Sequence, residues 1–221
     1  MTIARERFLK SKIVTAKILE KNQYIINNLE AKHTVLDVGC VGQAIDINSQ
    51  LWLHKELAEK VKDLTGVDIE RSGIEKLKKL GYNVLHVDEL SEKNFDVIVM
   101  GDIIEHISNL EEFLLFYKKR LKKHGMIIIT TPNPFSFRQI LNILLFKRPF
   151  INIEHTCFLD PYTLIELSQR CGLEIIDFSW IYEHAPAKTI TSGIIHSISK
   201  IFFKLRKYYS PNFGIILAKA N

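Results

Sequence analysis

Between Thr34 and Thr131 the chain alternates two patterns. Short apolar runs rich in β-branched residues recur at Val35–Val38, Leu64–Val67, Val84–Val87, Phe95–Met100 and Met126–Thr130. Between them lie "LWLHKELAEKVKD", "GIEKLKKLG" and "NLEEFLLFYKKRLKKHG", each charged along one side. The first pattern predicts strands buried on both faces, and the second predicts surface helices. Two of the helical stretches run to Gly81 and Gly125, where a left-handed C-cap costs glycine least. Strand and helix in turn predict an α/β fold: a parallel sheet covered by helices.

The flanks read differently. The opening segment, 1–30, has helical spacing, with Ile13, Ala16, Leu19, Ile25 and Ile26 forming an uneven apolar side up to about Leu29. From 132 to 160 the chain is aromatic and punctuated by proline, an insertion placed to form a substrate lid. A helix, "YTLIELSQRCG", then leads to a strand, "LEIIDFSW". Within 190–209, Ile194, Ile195, Ile198, Ile201, Phe202 and Leu205 recur at helical spacing, with Lys200, Lys204, Arg206 and Lys207 off that stripe. "FGIILAKA" predicts a last strand.

Length and composition narrow the class. The 221 residues suit one domain spanning 1–221, and 47% hydrophobic with 25% charged residues is an ordinary globular balance. Cys40, Cys157 and Cys171 show no CxxC spacing, which points to a reducing, cytoplasmic setting without a disulfide framework or structural zinc. The charged N-terminus lacks the apolar core of a signal peptide, and no run reaches the ~18 apolar residues a membrane span needs. A net charge of +5 leans toward anionic partners without choosing among them.

In an open parallel sheet, ligands bind beyond the carboxyl ends of the strands. Asp37, Gly39, Cys40 and Gly42 follow the first of these strands, Asp68 and Ile69 the second, Asp88 and Glu89 the third, and Gly101 and Asp102 the fourth. Singly, each has a plainer reading: glycines as turns, Asp68 as the N-cap of the helix that begins "RSGIEKL", Asp88 as a turn residue. Together they fall at four consecutive strand ends. A carboxylate after the second strand suits a ribose diol, since it accepts both hydroxyl protons. The same carboxylate disfavours a 2′-phosphate, and Asp37 beside the glycine turn disfavours a pyrophosphate. The chemistry therefore points away from a dinucleotide and toward an uncharged-ribose or cationic cofactor.

The motifs "VLDVGC", "GVDIERSGIEKLKKLGYNVLHVDEL", "FDVIVMGDIIEHISNLEEFL" and "LKKHGMIIITTPNP" resemble those of class I S-adenosylmethionine-dependent methyltransferases, from about Thr34 to the C-terminus. The resemblance implies a Rossmann-like, seven-stranded, mostly parallel sheet with its last strand antiparallel and helices on both faces. It also implies S-adenosylmethionine as cofactor, with Asp37, Gly39 and Gly42 near the methionine part, Asp68 on the ribose, Asp88 by the adenine and Gly101 beneath the sulfonium. One departure stands out. The family pattern D-x-G-x-G-x-G has glycine where this chain has Val41 and Gln43. A β-branched residue at positive φ costs roughly 1–3 kcal/mol, so Val41 should keep negative φ and Gly42 should supply the turn.

Methyl transfer to a hydroxyl also needs a base, and the two Glu-His pairs, Glu105-His106 and Glu154-His155, offer candidates. His155, His106 and Glu105 form the expected catalytic set, with no metal. A magnesium variant is also open, because Asp102, Glu105, His106 and His155 resemble the ligand set of small-RNA 2′-O-methyltransferases. The expected acceptor is a small polar molecule, foremost a sugar or lipid-linked sugar of bacterial glycan biosynthesis. A quinone precursor, RNA, or a non-catalytic binding role are the alternatives, and DNA is not expected. "FRQILNILLFKRPF" and "GIIHSISKIFFKLRKYY" could cover the pocket, form a dimer face, or make peripheral contact with an anionic membrane.

Overall fold

A computed structural model describes residues 10–42, 52–149, 152–182 and 190–220, with the side chains at 190–192 and 194–196 excepted. Gln43, Ile194 and Ile195 thus lie outside the described residues and side chains. The strands are β1 Ile18–Glu20, β2 Thr34–Val38, β3 Asp63–Asp68, β4 Val84–His86, β5 Phe95–Gly101, β6 Leu121–Pro132, β7 Leu173–Tyr182 and β8 Asn212–Lys219. The helices are α1 Lys21–Asn27, α2 Leu53–Lys60, α3 Arg71–Lys79, α4 Leu110–Lys119, α5 Phe137–Phe146, α6 Pro161–Arg170 and α7 Ile190–Leu205.

The strands form one sheet in the order β1-β7-β8-β6-β5-β2-β3-β4. β8 runs antiparallel to both its neighbours, and every other pairing is parallel. Successive side chains on a strand point to opposite faces, and the core divides accordingly. Leu36, Val38, Ile98, Met100, Ile127 and Ile129 pack under α4 and α6, against Leu114, Tyr117, Leu164 and Ile165. Val35, Val97, Val99 and Ile128 pack on the other face, against Tyr24 and Ile25 of α1 and Leu57 of α2. Each fully buried Leu or Ile contributes about 1.5–3 kcal/mol, so this double coverage is what holds the central strands.

Two expectations change. The sheet has eight strands rather than seven, because the opening segment is not one helix. Residues 10–15 are helical, then the chain extends as β1 along β7 before α1 begins. β7 would otherwise present an unpaired edge, and pairing with β1 covers it at Trp180, Ile181 and Tyr182. Trp180 anchors this junction: its indole Nε1 donates to the Ile13 carbonyl at 2.9 Å and its backbone N–H to the Lys17 carbonyl at 2.8 Å. The helix expected to reach Gly125 instead ends at Lys119, and 121–125 already belong to β6. Leu121 pairs with Phe95, and a Cβ on Gly125 would come within 2.9 Å of the Asp96 carbonyl oxygen. Gly125 therefore permits a close strand approach, whereas Gly81 is the left-handed residue after α3, at φ +89°. Among the described residues, no helix is long and apolar enough to cross a membrane.

Candidate active site

The turn after β2 is built from backbone contacts. The Gly39 and Cys40 N–H groups both donate to the Val67 carbonyl, at 2.8 and 3.3 Å, tying the turn to the end of β3. Gly39 has φ +82° and Gly42 φ +63°, while Val41 is not among the positive-φ residues, as its side chain requires. Val41 is buried with Cys40, Ile74, Leu77 and Val84, and a Cβ on Gly73 would collide with it. The valine is thus the packing anchor between this turn and α3. Its own N–H donates to Asp68 Oδ2 at 2.9 Å.

Asp68 organises the neighbouring turn as well. Its Oδ1 accepts from the Ile69 and Glu70 N–H groups, at 2.7 and 3.0 Å. Glu70, not Asp68, caps α3, accepting from Ser72 and Gly73. A carboxylate offers about four lone-pair sites, so three backbone donors leave Asp68 one toward a ligand.

Asp68 and Ile69 line a cavity of about 440 Å³ beyond the carboxyl ends of β2, β3 and β5. Gly39 and Val38 form one wall, Val87 and Ile103 contribute others, and His106, Asn109, Phe113, Phe116 and Tyr117 complete it. A Cβ on Gly39 would sit 2.9 Å from Ile103 Cδ1, so only glycine leaves this wall undistorted. Asp68 and Glu112 are the charged residues among the described lining, and no Lys or Arg accompanies them. An anionic pyrophosphate would meet no counter-charge here, whereas a cationic sulfonium with an uncharged ribose meets carboxylates and apolar walls. The residues present fit S-adenosylmethionine, and Gly39, Asp68 and Ile69 are placed where they could hold it.

The other expected cofactor residues stand elsewhere. Asp37 is buried, with its Oδ2 2.8 Å from His54 Nδ1. Cys40 turns its side chain into the packing against α3, and burial pushes its thiol far above the usual range, so only its backbone faces the turn. Asp88 is exposed beside His86 and Arg71, and Glu89 closes a capping box and pairs with Lys78; Val87 reaches the cavity in their place. Gly101 packs against Leu53, whose Cδ2 would lie 2.9 Å from an added Cβ. Gly42 borders residues outside the description.

The catalytic candidates, by contrast, converge. His106 and His155 meet edge to face, ring centroids 4.8 Å apart at 88°, and Phe158 lies 6.4 Å beyond His155. Glu105 is buried beneath them and accepts from Thr131 Oγ1 at 2.9 Å. Its backbone carbonyl accepts from the Thr156 N–H at 2.8 Å, which holds the 152–158 segment over the strand end. Burial, with the Asp102 charge adding to it, pushes the Glu105 carboxyl up to about 8. Burial and then the charge of His106 push the His155 imidazole below its ordinary value. Glu105, His106 and His155 offer ligand atoms within 4.8 Å of one another, a set that could also hold a divalent cation.

Sequence reasoning missed Lys21 and His54, and it gave Asp102 only as a strand-end residue and a member of the magnesium set. Asp102 adopts φ +51°, a strained conformation for a non-glycine residue, with Thr130 Oγ1 and Lys21 Nζ each donating to it at 2.9 Å. Lys21 comes from α1, eighty-one residues away in sequence, and nothing in its own context marks it. His54, packed between Trp52 and Tyr82, is the partner of Asp37. A His54→Leu variant should lose about 3–5 kcal/mol of stability, because it strands a buried carboxylate. The Asp37→Leu/His54→Leu pair should lose less than the sum of the two single changes. Chemical denaturation of the four proteins checks this, and additive losses would mean the pair is not coupled.

The methyltransferase-domain family profile matches residues 5–177. The chain is 29% identical over 218 residues to the ubiquinone biosynthesis O-methyltransferase of Rickettsia akari (strain Hartford), covering 92% of this chain and 78% of that one. It is 26% identical over 216 residues to the protein of the same name from Rickettsia canadensis (strain McKiel), covering 91% and 82%. In fold it is similar to a SAM-dependent methyltransferase from Archaeoglobus fulgidus, with a TM-score of 0.55, 22% identity, and 98% and 92% coverage.

Proposed function

The chain belongs to the methyltransferase-domain family and is an S-adenosylmethionine-dependent enzyme, and on that premise we propose that it methylates a hydroxyl of a small phenolic acceptor of the quinone-precursor kind. The acceptor class draws its support from the relatives, which are named for ubiquinone biosynthesis. They favour this alternative over the sugar acceptor foremost in the sequence reading. The rings of His106, His155 and Phe158, which meet edge to face one after another, suit an aromatic acceptor better than a polyhydroxylated one.

One observation carries the chemistry: His155 meets His106 edge to face beside the buried Glu105, and burial with the charge of His106 favours the neutral, proton-accepting form of His155. S-adenosylmethionine, when bound, supplies a methyl on a sulfonium whose departure leaves a neutral thioether. The chain has to orient the acceptor oxygen and receive its proton. Proximity of a positioned base contributes about 10²–10⁴-fold, and a neutral His155 can supply it. Glu105, buried and protonated near neutral pH, spares the site a second negative charge beside Asp102.

His155→Gln tests the reading. Turnover of a catechol-type acceptor should fall about 10²–10⁴-fold with cofactor affinity unchanged. Wild-type turnover should rise with pH through an inflection below that of free imidazole, and the variant should lack it. Turnover that survives the substitution would remove His155 as the base. A second reading, a divalent cation on Glu105, His106 and His155, is favoured by the spacing of their ligand atoms. Activity that persists in a strong chelator supports the proton-transfer reading, and activity lost there and restored by magnesium supports the cation.

A further inference from the structure

The last turn of helix α5 points its apolar residues outward. The buried member of α5 is Asn142, whereas Ile143, Leu144, Leu145 and Phe146 are 50–73% exposed. Four consecutive residues cover every side of a helical turn, so the end of α5 projects as an apolar tip. Beside it, α7 buries Ser199 and Phe203 and exposes Ile198, Ile201, Phe202 and Leu205. Those four recur at i, i+3, i+4 and i+7, a continuous stripe turned toward solvent. Phe137, at the start of α5, stacks on Phe202, centroids 4.0 Å apart, so the two helices pack together at that end while the tip projects from the other. A helix packed only for its own fold would point these faces inward. Exposed apolar surface carried by two neighbouring helices marks an interaction site.

The charges around it have one sign. Lys147 and Arg148 follow the tip, and Lys200, Lys204 and Arg206 flank the stripe. No Asp or Glu occurs in 133–153 or in 185–221. We propose that this face of α5 and α7 docks on an anionic lipid surface, the apolar tip entering the acyl boundary and the cations meeting headgroup phosphates. Charge selects the occupant. A second copy related by twofold symmetry would bring the same cations onto each other, since such an interface pairs a patch with itself. Phosphates surrounding an apolar layer complement both features at once.

The placement has a consequence for the acceptor. α5 follows the carboxyl end of β6, the end of the sheet at which the cavity opens, and the 152–158 segment with His155 follows α5. Ile153 in that segment is almost wholly exposed. A docked enzyme would therefore face the layer in which apolar quinone precursors concentrate. That consequence rests on the acceptor reading above, but the docking does not.

Cosedimentation with vesicles of phosphatidylglycerol and phosphatidylcholine, against phosphatidylcholine alone, tests the docking without any acceptor. Wild-type protein should bind the anionic vesicles, and added salt should release it. Leu144→Asp and Ile201→Asp should each lower the bound fraction about tenfold or more, and Lys147→Glu/Arg148→Glu should also weaken it. Each variant should keep its melting temperature and its response to S-adenosylmethionine, since the positions are exposed. No binding to anionic vesicles, or binding indifferent to Leu144→Asp, overturns the proposal. So does a dimer in sedimentation velocity that Leu144→Asp dissociates, which would assign the face to a second copy.

Discussion

Asp68→Ala is expected to abolish the rise in melting temperature that S-adenosylmethionine gives the wild-type protein. Ligand at a hundred times its dissociation constant stabilises by about 2.7 kcal/mol, which for a chain of this length is roughly 5–10 °C. Two effects of the substitution act together. On the proposed assignment the ribose loses its acceptor, and the Val41, Ile69 and Glu70 N–H groups lose theirs. The second effect should appear without ligand, as a fall in the melting temperature of the free protein, because the part-buried Val41 N–H is orphaned at a cost of up to about 1–3 kcal/mol, whereas the exposed Ile69 and Glu70 N–H groups can turn to water. Differential scanning fluorimetry with and without S-adenosylmethionine separates the two. A lowered baseline that still shows the full ligand shift would leave Asp68 a turn anchor and remove it from the cofactor.

Glu105→Gln should make the protein more stable, increasingly so as pH rises. Burial raises the folded-state pKa of Glu105 to about 8, above its unfolded value. Between those values the unfolded chain has released the proton and the folded chain has kept it. Folding then takes up a proton, and stability falls as pH increases through that window. Glutamine has no such proton to hold, and its amide oxygen can still accept from Thr131 Oγ1. The variant should match wild type near about pH 4 and exceed it by up to a few kcal/mol at about pH 9. Thermal melts across that range, in chelator so that no cation sits on the cluster, measure the difference. Turnover should fall at the same time, since an active site stores stability that the fold would otherwise have. Parallel pH curves for the two proteins would contradict a raised Glu105 pKa.

Much of the sheet was legible because its signal is local. A strand buried on both faces must be apolar throughout, so β2, β3, β5 and β8 announce themselves within a residue or two of their ends. β1 did not, since "ILE" is extended only because β7 offers it an edge. The start of β6 was hidden for a related reason. "LKKHG" continues a helical charge pattern, and pairing with Phe95 overrides that local preference.

The site divides along the same line. Its strand-end position, the glycine turn and the Glu-His pairs could be read from the chain, as could the dihedrals of Val41 and Gly42, because sterics allow a valine little choice. Which carboxylates face a ligand could not. Asp37 and Asp68 both lie near the carboxyl ends of adjacent strands, yet Asp37, opposite Gly66, is closed by His54, and Asp68, two residues further along, lines the cavity. The protonation of Glu105, the reach of Lys21 to Asp102 and the outward turn of the α5 and α7 apolar residues likewise depend on what packs nearby. By itself the sequence determined the backbone pattern, through sterics and hydrophobic periodicity that act over a few residues. Only the tertiary structure decided which side chains are paired, buried or exposed, because desolvation and charge pairing depend on neighbours that the chain supplies from far along its length.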